Sequence, residues 1–218
     1  MTRQLTVTII TDTVCPWCYV GKKRFERAVT SFKLRPGFED VEFKLTYQPF
    51  QLNPAQSKEG EDKIKMYERK FGKTRYEQMM GHLKQVGVAE GIQFSSGGMI
   101  GNSLDSHRLV KFAGLLADQK QDAVINRLYR AYFEEEKNIA DSQVLVSIAE
   151  SAGLDGAKVR EMLAGDHLLK ETQDAVDQVH ASGVSGVPFF IVGDKFAVSG
   201  AQDPAAFEAV FERALGAV

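Results

Sequence analysis

Two cysteines are all that the 218 residues contain, and they stand three apart in Thr11-Asp12-Thr13-Val14-Cys15-Pro16-Trp17-Cys18. Upstream, Leu5-Thr6-Val7-Thr8-Ile9-Ile10 is a short run of β-branched and apolar residues, the composition of a strand. Downstream, Gly21, Phe25, Ala28, Val29 and Phe32 recur at helical spacing. The cysteine pair therefore sits where a strand turns into a helix. Proline is favoured at the first position of a helix, where its missing N–H costs nothing, so Pro16 marks Cys15 as the capping residue. A side chain there faces free backbone N–H groups and the positive end of the helix dipole, which favours a thiolate. Cys18, three residues on along the same face, is within reach of a disulfide after modest local adjustment. The arrangement reads as a redox switch with Cys15 as nucleophile and Cys18 as resolving thiol.

Other uses of the pair fit less well. A zinc site needs about four ligands, and this pair supplies two, while His82, His107, His167 and His180 show no ligand spacing; no metal site is expected. A bridge closing so short a loop constrains little of the unfolded chain, so a purely structural disulfide gains little. An inert buried pair does not explain the strand–Cys–Pro–helix context.

The remainder of the chain supplies the frame. Val41-Glu42-Phe43-Lys44-Leu45-Thr46-Tyr47 alternates as a half-buried strand, completing a β-α-β unit with a parallel crossover. Ser57–Asp62 reads as solvated loop. From about Ile64 to Leu169 the pattern is almost wholly helical, with one face of Ile64, Tyr67 and Phe71 and another of Tyr76, Met79, Met80, Leu83 and Val86. Gly87–Gly101 reads as a loop. Helices follow with stripes at Leu109, Phe112 and Leu116, at Val124, Leu128 and Tyr132, and at Val144, Leu145 and Ile148; a short segment near Ala157–Leu163 precedes a helix from about Asp166 to Ala181. The Met and aromatic positions read as core, with a substrate-lining role as the lesser alternative. Phe189-Phe190-Ile191-Val192 is a continuous apolar run suited to a buried strand, Gly193-Asp194 a two-residue hairpin turn, and Lys195–Val198 the return strand. Asp203-Pro204 repeats the capping device before a closing helix striped by Phe207, Val210, Phe211 and Leu215.

The order is thus α/β, with a β-α-β part at 1–52, an all-helical insertion at 53–169 and a closing α-β-β-α part at 170–218. Lys plus Arg number 27 against 29 Asp plus Glu, a net charge of −2 without a basic run, so nucleic acid is not expected. No apolar stretch is long enough for a membrane span. Met1–Gln4 leads directly into the first strand, and scarce cysteines suit a reducing compartment; a cytoplasmic location is the expectation.

Taken together, C-P-W-C-Y-V-G at Cys15–Gly21, N-S-L-D-S-H-R-L at Asn102–Leu109 and G-V-S-G-V-P-F-F-I-V-G-D-K-F-A-V-S-G-A-Q at Gly183–Gln202 resemble the DsbA family of thioredoxin-fold oxidoreductases, in its FrnE-like branch. That branch is similar to 2-hydroxychromene-2-carboxylate isomerases and kappa-class glutathione transferases. The resemblance covers essentially the whole chain. It implies a thioredoxin fold with a large helical insertion after the first β-α-β unit, and a cis peptide at Pro188. It also implies that Val187 presents its backbone groups to an extended peptide or to glutathione. It implies thiol–disulfide exchange at Cys15 and Cys18 with no dissociable cofactor, a disulfide- or dithiol-containing protein or small molecule as substrate, glutathione as an optional co-substrate, and a tendency to dimerise. Where the related isomerases and transferases carry a serine, this chain has both cysteines, which favours redox chemistry. Pro16 and Trp17 would flank the substrate, and Asn53 and Gln202 lie where glutathione-binding relatives place ligand contacts. Gln202 replaces an acidic residue there, which weighs against the usual mode of glutathione binding. Turn residues are the alternative for both. His107 either lines the insertion's side of the cleft or is a satisfied helix-end histidine. Asp12 either moves protons near the thiols or shapes the turn. Glutathione-dependent isomerisation or transfer, and a non-catalytic peptide-binding module, are the competing functions.

Overall fold

A computed structural model describes residues 3–116 and 120–216; of the Met1–Gln4 lead, Met1 and Thr2 lie outside them, and Arg3 and Gln4 already belong to the first strand. Strand β1 (Arg3–Thr11) pairs in parallel with β2 (Val41–Pro49) across α1 (Pro16–Lys33). β1 also pairs antiparallel with β5 (Phe189–Val192), and β5 with β6 (Phe196–Ser199), giving a four-stranded sheet in the order β2-β1-β5-β6. Between β2 and β5 run β3 (Glu61–Asp62), α2 (Lys63–Phe71), α3 (Lys73–Ala89), β4 (Met99–Ile100), α4 (Leu104–Gly114), α5 (Gln121–Phe133), α6 (Ser142–Ser151), α7 (Gly156–Ala164) and α8 (Leu169–Ala181); α9 (Pro204–Ala214) closes the chain. This is the thioredoxin arrangement with a helical insertion.

One face of the sheet packs on α1 and α9. Phe25, Phe32, Phe190, Phe207 and Phe211 are all essentially inaccessible there, and Phe25 stacks on Phe190 at 5.6 Å between ring centroids. Fully burying side chains of this size contributes roughly 2–3 kcal/mol each, so this aromatic cluster fixes α1, and with it the cysteines, against the central strands. The other face of β5 packs differently. Phe189 and Ile191 cover a small cluster of Ile10, Phe50 and Val179. Coverage on both faces explains why Phe189–Val192 lacks polar alternation.

Several expectations are corrected. The insertion is not wholly helical, because β3 and β4 pair antiparallel within segments that read as loop. Two-residue strands are too short to leave a period in the sequence. In α2 the buried positions are Lys63 and Met66, whereas Ile64, Tyr67 and Phe71 are only partly covered. Helix α8 begins at Leu169 behind a left-handed Leu168 (φ 62°), three residues after the expected start. In the β5–β6 hairpin, Val192 pairs with Phe196, so Lys195 belongs to the turn; Gly193 and Asp194 both have positive φ, as a tight hairpin requires.

Candidate active site

β1 ends at Thr11, and the Cys15 N–H donates to Asp12 O at 3.1 Å, turning the chain into α1 with Cys15 as N-cap and Pro16 at the first helical position. The Cys15 side chain makes no capping bond; its sulfur instead lies 3.8 Å from Val187 O. A neutral thiol carries its own proton and turns to an acceptor, whereas the helix N–H groups would draw the thiolate. Cys15 is 5% and Cys18 1% exposed, and both are free. Burial, then the hydrogen bond and charge of Cys15, raise the Cys18 thiol well above its ordinary pKa; Thr11 and the Asp12 backbone oppose this. The pair is thus unequal: one thiol at the helix tip, the other inside.

The opposite wall is the Val187–Pro188 loop, whose peptide bond is cis. The loop approaches α1 at Gly21, where a Cβ would stand 2.7 Å from Pro188 Cγ. Pro188 O also accepts from Gly200 N at 2.8 Å, tying the loop to the end of β6.

Cys15, Pro16, Trp17 and Val187 open onto a cavity of about 960 Å³ roofed by the insertion. Its apolar wall is Met66 and Tyr67 of α2, Tyr76, Met79, Met80 and Leu83 of α3, and Phe133 of α5. Met and aromatic positions that read as core therefore largely line this cavity. Met79 is 44% exposed, and Trp17, 39% exposed, stands with its ring 6.0 Å from that of His82. Burial pushes the Tyr67 hydroxyl up to about 12, with the Cys15 and Asp12 charges adding to it.

Two polar groups in the wall were not singled out in the sequence. Lys63 is 6% exposed; its Nζ donates to Tyr132 O at 3.1 Å and stands 3.8 Å from the Tyr132 ring centroid. Burial lowers its pKa to about 8, partly offset by Glu136. Tyr132 Oη is buried without a hydrogen-bond partner among the described residues. A lysine at the start of an amphipathic helix reads as solvated, and only its helical spacing with Met66 hints otherwise.

The remaining candidates separate. Asn53 lines the cavity, exposed, with its Nδ2 donating to Gln56 Oε1 at 2.8 Å. Gln202 does not line the cavity; it is exposed and donates to Ser199 O at 2.9 Å, which is a turn role. His107 does not line it either. It is 3% exposed in α4, its Nε2 lying 3.0 Å from Phe50 O and 3.4 Å from Asp12 Oδ1. Asp12 is fully buried yet reaches the cavity wall, and its Oδ2 accepts from Leu52 N at 2.8 Å. Two further buried hydroxyl pairs brace this floor: Thr11 with Tyr129 at 2.5 Å, and Thr13 with Ser106 at 2.7 Å.

Known proteins share this plan. A DSBA-like thioredoxin domain model matches residues 6–212. The structure of a probable DsbA oxidoreductase from Streptomyces coelicolor is 31% identical, with a TM-score of 0.86 over 97% of this chain and 90% of that one. The uncharacterized protein YwbO of Bacillus subtilis is 27% identical over 206 residues, 93% of each chain. The cytosolic disulfide reductase DsbM of Pseudomonas aeruginosa, solved with GSH, is 18% identical with a TM-score of 0.63, over 97% of this chain and 99% of that one, a likeness of fold. With the family model spanning nearly its whole length, the chain belongs to the DsbA-like thioredoxin family.

Proposed function

We propose that the protein is a thiol–disulfide oxidoreductase in which Cys15 attacks and Cys18 resolves. The observation that carries this reading is the inequality of the two thiols: Cys15 at the tip of α1 facing the cavity, Cys18 one turn inward and buried. The Cys15 thiolate attacks one sulfur of a substrate disulfide, whose S–S bond breaks and releases one thiolate. Cys18, on losing its proton, attacks the Cys15 sulfur and releases the second. Two electrons pass to the substrate, and a Cys15–Cys18 disulfide remains; the reverse sequence oxidises a dithiol. Val187 and Pro188 flank the attacked disulfide, and Pro16 and Trp17 form the near wall. No dissociable cofactor is required.

A small anionic disulfide suits the cavity. Among the described residues Lys63 makes no ion pair and the Tyr132 hydroxyl has no hydrogen-bond partner, so the wall offers one charge and one donor. Glutathione disulfide has this chemistry, and the DsbM structure with GSH supports it as a co-substrate in a cytoplasmic setting. The test is substitution of each cysteine. Cys18→Ser should accumulate a mixed disulfide on Cys15, seen by intact mass, and Cys15→Ser should abolish exchange. Full turnover in both variants would sink the reading. Reversible glutathione binding with activity surviving Cys18→Ser would instead mark a glutathione-dependent isomerase or transferase.

A further inference from the structure

The lining of the large cavity is lopsided. Met66 and Tyr67 of α2, Met79, Met80 and Leu83 of α3 and Phe133 of α5 give it a broad apolar wall. About 960 Å³ lined in this way takes up a sizeable apolar body, and methionines, unbranched and polarizable, adapt to its shape. The charged groups around that wall are mostly engaged or exposed. Asp12 accepts from Leu52 N at 2.8 Å, and Glu61 pairs with the exposed Arg69 at 2.7 Å. Lys70 is exposed over the Phe71 ring, and His82 is exposed beside Trp17. Charges in contact with water are weakened by it and by salt. Lys63 differs. It is 6% exposed and makes no ion pair among the described residues, the exposed Glu136 acting on it only through space. A cation in so apolar a wall attracts a carboxylate more strongly than the same cation in water.

The wall also has a direction. Lys63 opens α2, and Tyr67 follows one turn later on the same face. Tyr67 is close enough to Cys15 for the charge of that thiolate to raise its hydroxyl. This face of α2 therefore leads from the reactive sulfur towards the buried ammonium. One helical turn is about 5.4 Å, a length that a chain of about five carbon–carbon bonds covers. Glutathione meets the charge, but it also brings an ammonium, a second carboxylate and two amides against an apolar wall, where unpaired polar groups are costly. Gln202, which lies in the sequence where relatives hold the amino end, is turned to Ser199 O.

We infer that the preferred substrate of this site is an apolar dithiol or disulfide bearing one terminal carboxylate, with its sulfurs at Cys15, its body along the α2–α3 methionine wall and its carboxylate on Lys63 Nζ. The inference rests on the oxidoreductase reading above and names the substrate class for it. In the dithiol direction, one substrate thiolate attacks the Cys15 sulfur of the Cys15–Cys18 disulfide; that S–S bond breaks, and Cys18 leaves and takes up a proton. The second substrate thiol loses its proton and attacks the substrate sulfur of the mixed disulfide. Cys15 is released, and the substrate closes as a cyclic disulfide. Two electrons and two protons have passed to the protein.

The test is rapid mixing of the Cys15–Cys18 disulfide form with excess dithiol, followed by the fluorescence of Trp17, the single tryptophan, beside Cys15. Three probes separate the contributions. Dihydrolipoate has the apolar body and the carboxylate, dihydrolipoamide has the same dithiol and body without the charge, and dithiothreitol has neither. Each rate constant is divided by that of the same dithiol with bis(2-hydroxyethyl) disulfide in solution, which removes intrinsic reactivity. Dihydrolipoate should react at least about tenfold faster than dihydrolipoamide, the scale of a charge-assisted hydrogen bond, and dihydrolipoamide about tenfold faster than dithiothreitol, the scale of burying about two methylenes. The net charge of −2 works against the acid, so a preference for it is local in origin. Lys63→Met should bring the acid-to-amide ratio to about one. Met79→Gln with Met80→Gln, both at partly exposed positions, should lower the amide-to-dithiothreitol ratio. Equal rates for acid and amide in the wild-type protein, an acid preference that survives Lys63→Met, or no advantage of the amide over dithiothreitol would overturn the inference and leave the oxidoreductase reading intact. Failure of the purified protein to form the Cys15–Cys18 disulfide would instead overturn the oxidoreductase reading, and this inference with it.

Discussion

Lys63→Met tests how far the cavity has been built for a ligand at the expense of the fold. Burial drives the Lys63 ammonium from its ordinary 10.5 down to about 8. At about 1.4 kcal/mol per pH unit, holding that charge inside the protein costs the folded state about 3 kcal/mol at neutral pH. Methionine removes this cost but also loses one hydrogen bond to Tyr132 O and the contact over the Tyr132 ring, together worth about 1–2 kcal/mol. Lys63→Met should therefore be more stable than wild type by about 1–2 kcal/mol near neutrality. The sign of the pH dependence follows from the depressed value. Below about 8 both folded and unfolded chains carry the proton and the full penalty applies; between about 8 and 10.5 the folded chain releases it first, so the unfolded chain binds more protons and wild-type stability rises with pH. The advantage of Lys63→Met should thus shrink and reverse towards pH 10.5. Urea denaturation of the reduced proteins across this range reads the difference directly, with the m-value as a check on two-state behaviour. A difference that does not change with pH would refute the claim that Lys63 is a buried, destabilising charge.

Gly21→Ala gains about 1 kcal/mol of helix propensity but places a methyl 2.7 Å from the Pro188 ring, and forced overpacking of this kind costs about 1–3 kcal/mol. Its expected outcome is a lower melting temperature together with slower exchange at Cys15, because the clash displaces the loop facing the thiol; a stabilised, fully active variant would contradict the close approach. Alkylation of the reduced protein with iodoacetamide should mark Cys15 at least about tenfold faster than Cys18 near neutrality, since each unit by which Cys18 is raised removes tenfold of its thiolate. Peptide mapping by mass spectrometry checks this, and equal labelling would remove the basis for assigning unequal roles.

The parts of the site that could be read in the sequence are those built from local rules. A β-branched run, a proline at the first helical turn and an apolar stripe at 3.6 spacing place Cys15 on β1–α1. The alternation of β2, the dense apolar run of β5 and Asp203-Pro204 before α9 recover the sheet and its cover. What escapes is set by contacts between distant segments. Asp12 and His107 meet across 95 positions, and neither has a local pattern that names the other. The apolar faces of α2 and α3 look alike whether they cover a core or a cavity, so Met79 and Met80 read as core filling although both line the cavity. Gln202, which falls in a stretch resembling a ligand-binding relative, is spent on Ser199 O. The charge of Lys63 masks its burial, because a side chain so buried is normally apolar or paired.

Equilibration of the purified protein against glutathione redox buffers, read by intact mass after acid quenching, tests the central claim most directly. The account predicts a single transition, a loss of two mass units as Cys15 and Cys18 join, with a midpoint that ranks the protein as net reductant or oxidant. Persistence of the dithiol, with glutathione bound but no mass change at the cysteines, would contradict it.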